Sequence, residues 1–99
     1  MGVSLRGQPV EESATLPDGR DITVRVALAS DDYIPRREQH TVALELLIDE
    51  RVEATVNTVL EPGHVREARR LAREVASRLE AGDLEPTAGA IEPLADSIL

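Results

Sequence analysis

Three stretches in which apolar and polar residues alternate, followed by one amphipathic helix, restrict this chain more than any other feature. Alternation with period two puts every second side chain on one face, so each stretch reads as a half-buried strand. In residues 21–29 the apolar set is Ile22, Val24, Val26 and Leu28. In 41–48 it is Val42, Leu44, Leu46 and Ile48, and in 52–60 it is Val52, Ala54, Val56 and Leu60. Residues 10–16 give a shorter fourth candidate. It closes on Pro17-Asp18-Gly19, where proline presets the first turn torsion and glycine supplies a positive φ.

The helix is predicted over 65–79. Val65, Ala68, Leu71, Ala72, Val75, Ala76 and Leu79 recur at helical spacing and form one stripe, with Leu71 and Val75 at its centre. Pro62 suits the first helical turn, where its missing N–H costs nothing, and Gly82 suits the left-handed residue that ends the helix. In the tail, 85–99, Ile91, Leu94 and Ile98 keep the same spacing and predict a short second helix. The expected architecture is α+β: an antiparallel sheet of three to four strands, one long helix on one face, and a short C-terminal helix. Residues 1–99 are expected to form a single small domain with 1–9 as a loose end.

Faces also predict register. Pairing Ile48 with Val52 sets Leu46 opposite Ala54 and Leu44 opposite Val56, and brings Glu45 beside Thr55 and Ala43 beside Asn57. A one-residue slip would oppose apolar residues to Glu53 and Thr55. The connection Asp49-Glu50-Arg51 lacks the glycine usual at its end, so a wider loop with a bulge also fits. The outward face, with Thr23, Arg25, Ala27, Ala43, Glu45, Leu47, Thr55, Asn57 and Val59, is mixed. One helix cannot cover both faces, so this one is expected to meet solvent, a partner or the tail.

Composition narrows the chemistry. The chain has no Cys, which excludes disulfides, zinc–thiolate sites and cysteine nucleophiles. All eleven basic residues are Arg, so Schiff-base chemistry and a phosphate-loop lysine are excluded. With no Phe, no Trp and one Tyr, the core must be aliphatic, and stacking platforms for single strands are missing. A net charge of −8 repels phosphate backbones and anionic membranes at long range. No apolar run approaches the roughly 20 residues needed to span a bilayer, and none reads as a signal peptide. Neither nucleic acid nor membrane is an expected partner, no cofactor or metal is expected, and a cytoplasmic location is.

No motif for a phosphate-binding glycine loop, a serine nucleophile or a zinc helix is present, so no catalytic residue is assigned. Glu61-Pro62-Gly63-His64 matches Glu-x-x-His only formally, because Pro and Gly intervene at a helix start and the motif occurs once. His40 would need the preceding loop to fold back before it could act as a base. Arg25, Glu45, Thr55 and Asn57 form the best polar cluster on the open sheet face, although Arg25 and Glu45 also read as a cross-strand ion pair. Tyr33, in the long connection 30–40, is a candidate contact anchor, or else covers the core edge with its hydroxyl in water. Arg66, Arg69, Arg70 and Arg73 share one narrow helix face. Their guanidinium forks can grip carboxylates or phosphates. Charge runs of this kind read first as a solvated face, in which Glu74 pairs with Arg70 and Arg78. Together these features predict a non-enzymatic protein-interaction module that associates with itself, as a homodimer, or with another protein. The rivals are a small ligand-binding or enzymatic domain on the open sheet face, and a nucleic-acid binder using the arginine stripe.

Overall fold

The computed structural model describes residue 5, residues 8–28 and residues 41–98. Four strands come first, β1 (Val10–Thr15), β2 (Asp21–Leu28), β3 (Val42–Ile48) and β4 (Arg51–Asn57). Two helices follow, α1 (Val65–Ala81) and α2 (Ala88–Asp96). The strands form one antiparallel meander in the order β1-β2-β3-β4. The α+β architecture read from the sequence is the one observed, with four strands in the sheet. Tyr33, His40, Ala29 and the rest of the connection 30–40 lie outside the described residues.

Period two decides which strand face is buried. Ile22, Val24, Val26, Val42, Leu44 and Leu46 point into one cluster with the α1 stripe of Ala68, Leu71, Ala72, Val75, Ala76 and Leu79. α1 lies across β1 and β2, which leaves Leu44, Val56 and Leu60 on the other half of the sheet in need of cover. α2 supplies it. It packs beside α1 against β4, and Ile91, Ala95 and Ile98 join the same cluster. The tail therefore shares the helix-bearing face and leaves the outward face alone.

Local chemistry fixes the element ends. Gly82, at φ 80°, donates to the Leu79 carbonyl, and the Asp83 N–H donates to the Arg78 carbonyl. Together these bonds satisfy carbonyls the helix would leave open. Thr87 caps α2 by accepting from the Ala90 N–H at 3.3 Å. In the β1–β2 turn Gly19 sits at φ 94°. There the Asp18 carboxylate accepts from the Arg20 N–H and the Arg20 Nε at 3.0 and 2.8 Å. The Arg20 backbone N–H foremost, and then its guanidinium, lowers the Asp18 pKa below the ordinary value.

The β3–β4 hairpin follows the predicted register only in part. Leu44 faces Val56, Glu45 faces Thr55, Leu46 faces Ala54 and Ala43 faces Asn57, as expected. Between Leu46 and Leu47 the ladder slips: Leu47 faces Val52 and Ile48 faces Arg51, which leaves Glu53 as an extra residue in β4. This bulge moves Val52 to the outward face, where it is 49% exposed, and corrects the expectation that it is buried. The connection is the two-residue turn Asp49-Glu50, with φ of 53° and 66°, and Arg51 belongs to β4. Two positive φ values are the requirement of the mirror-image turns that match strand twist. Glu50 occupies the position glycine prefers. Left-handed backbone costs a side-chain-bearing residue about 1–2 kcal/mol, and glycine's extra chain entropy returns roughly half of that. Glu50→Gly is therefore expected to stabilise the fold by about 0.5–1 kcal/mol, read from urea midpoints. A midpoint that does not rise would mean the turn holds Glu50 without strain.

β4 ends at Asn57 rather than running to residue 60. Thr58 turns the chain out of the sheet: its Oγ1 and N–H both donate to the Val42 carbonyl, at 2.7 and 2.9 Å. Leu60 is still buried, while Val59 is 48% exposed. Leu5, within the stretch expected to be loose, is buried and donates its N–H to the Pro62 carbonyl at 2.8 Å. Among the described residues no helix is long and apolar enough to cross a membrane.

Candidate interaction site

The outward sheet face brings three of its four predicted residues into one row. Glu11, Arg25, Glu45 and Thr55 stand side by side across all four strands, and Asn57 lies in the next row beside Ala43. Arg25 Nε donates to Glu11 at 2.9 Å, and its Nη1 stands 3.8 Å from Glu45. A guanidinium held between two carboxylates has little attraction left for a ligand. Exposed pairs of this kind contribute about 0–1 kcal/mol each. Nearer the hairpin the same face has a cavity of about 540 Å³, bordered by Glu11, Asp21, Asp49, Glu50 and Arg25 around Leu47 and Val52. It does not include Glu45, Thr55 or Asn57.

The arginine face of α1 is arranged differently. Burial of Leu71, Ala72 and Val75 against the sheet turns Arg66, Arg69, Arg70 and Arg73 outward. With Val65 and Glu74 these four line a cavity of about 790 Å³. Two of them are tethered. Arg70 Nη2 donates to the Ile98 carbonyl at 2.6 Å, so the end of the C-terminal segment holds it. Arg73 Nε donates to Glu12 at 3.2 Å, which ties α1 to β1. Arg70 thus reaches a main-chain oxygen in place of the expected Glu74. Glu74 accepts instead from Arg78, one turn further on, at 2.9 Å. Arg66 and Arg69 are exposed and make no hydrogen bond or ion pair among the described residues.

The Glu-x-x-His motif has a structural use. His64 Nδ1 accepts from the Glu61 N–H at 2.9 Å and closes the turn that leads into α1. No group of three or more metal-ligating side chains converges among the described residues. Asp21, Asp49 and Glu50, which border the outward cavity, belong to no motif of the sequence. Consecutive acids at a predicted hairpin loop were the available signal. No family model, curated protein or solved structure matches this chain.

Proposed function

We propose that this chain is a non-enzymatic protein-interaction module whose α1 arginine face receives an acidic segment of a protein partner. The supporting observation is the cavity of about 790 Å³ along that face, where Arg66 and Arg69 have no partner among the described residues and Arg70 and Arg73 are held in place. Tethered guanidiniums lose less freedom on binding, and free ones offer bidentate forks to carboxylates. The enzymatic rival on the sheet face is weakened because Arg25 is already held by Glu11 and Glu45. The nucleic-acid rival must overcome a net charge of −8. A cytoplasmic location belongs to the same proposal, since a chain without cysteine suits a reducing compartment.

Calorimetric titration with a glutamate-rich peptide tests it. Wild type is expected to bind, and Arg66→Glu/Arg69→Glu to bind at least about tenfold more weakly, a loss of about 1.4 kcal/mol. The melting curve should hardly move, because both side chains are exposed. Binding that survives the double substitution would sink the proposal. Duplex DNA should not bind at physiological salt. DNA binding by wild type at micromolar or tighter affinity, lost in the double variant, would favour the nucleic-acid rival instead.

A further inference from the structure

We propose that the acidic β3–β4 hairpin tip of one copy docks into the arginine-lined cavity of the next, so that the chain assembles head to tail. This rests on the reading of the arginine face as a site for acidic protein segments, and it names the segment. Asp49 and Glu50 are exposed at the tip and, like Arg66 and Arg69, have no hydrogen-bond or ion-pair partner among the described residues. Glu53 is also exposed just behind the tip, and Arg51 is the only basic residue between them. A two-residue turn is the narrowest end a hairpin can present, its strands about 4.8 Å apart. The arginine-lined cavity it would enter measures about 790 Å³. Val52, 49% exposed beside Leu47, gives the tip an apolar flank to bury once the charges meet.

These acids and bases, without partners among the described residues, cannot satisfy each other within one chain. Arg66 and Arg69 point away from the sheet on the helix-bearing side, and the cavity beside the tip opens on the outward face. The core lies between them. Only another molecule can bring the two sets together. The separation of the two patches also bears on the symmetry. The tip and the arginine face are different surfaces of the chain, so the contact is heterologous and continues from copy to copy or closes as a ring. A homodimer is not the assembly this geometry favours.

Light scattering on the full chain over a range of concentrations tests the contact. At low salt the wild-type mass should rise above that of one chain and keep rising past two. Salt on the order of 0.5 M should reverse it, because the Debye length then falls to about 4 Å. Arg66→Glu/Arg69→Glu should stay at the mass of one chain. So should Asp49→Asn/Glu50→Gly, which removes both carboxylates while giving the turn residues it prefers, so misfolding cannot explain the loss. Mixing Arg66→Glu/Arg69→Glu with Asp49→Lys/Glu50→Lys should restore assembly, since each chain then carries the charge the other needs. Assembly that persists in Asp49→Asn/Glu50→Gly would overturn the proposal, as would a wild type of single-chain mass at every concentration. A single-chain wild type that still binds the glutamate-rich peptide would overturn only the self-docking. Loss of both would overturn the arginine-face reading as well.

Discussion

Cutting the chain after Gly82 is expected to abolish most of its stability. The truncation removes α2, and with it Ile91, Ala95 and Ile98, all buried in the common cluster, together with the partly buried Leu84 and Leu94. Burying one large aliphatic side chain is worth about 1.5–3 kcal/mol. Ile91 and Ile98 alone thus represent a large share of the roughly 5–15 kcal/mol that small domains possess. The loss reaches further, because β4 rests against α2, and Val56 and Leu60 would be left facing water. Arg70 would also lose the carbonyl that anchors it. Thermal melts followed by circular dichroism should show a transition lowered by tens of degrees, or no cooperative transition at all. An unchanged melt would mean that α1 and the sheet form a complete core without the tail.

Leu71→Ala is expected to cost about 2–5 kcal/mol, from lost transfer energy plus the cavity left behind. Leu71 is fully buried near the middle of α1, where that helix crosses β1 and β2. Val24, Val75 and Leu79 of the same cluster are equally inaccessible, so Leu71 sits in a fully buried core. Among the described residues the buried core is wholly aliphatic. Urea unfolding at constant slope should register the change as a lower midpoint. A loss under about 0.5 kcal/mol would contradict the burial of the α1 stripe.

Local patterns made much of this fold legible. The pairing of Leu44 with Val56 and Leu46 with Ala54 follows from period two, because any slip exchanges the two faces. That rule fails at a bulge. One extra residue, Glu53, reverses the parity of everything between it and the turn, so Val52 continues the alternation in sequence while pointing to the other side in space. The left-handed pair Asp49-Glu50 carries no composition signal strong enough to reveal a two-residue turn, since glycine is absent. Spacing likewise identified Ile91, Leu94 and Ile98 as one helical face, but spacing is silent on which side of the sheet a helix settles. The arginine stripe was visible in the sequence as four residues on one face. Its division into tethered and free members was not. Arg70 is held by a backbone carbonyl, a group every residue possesses, and Arg73 by a glutamate 61 positions away.

The bulge in β4 also governs where the sheet stops. β4 is an edge strand, and an edge with open backbone donors and acceptors invites a further strand from another molecule. At Glu53 the ladder is interrupted, the strand bends, and an exposed carboxylate stands on the border. A flat fifth strand laid along β4 would lose its hydrogen-bond rhythm there and would confront that charge. Growth of the sheet across its β4 edge, one route to amyloid-like stacking, is thus opposed by a single surplus residue.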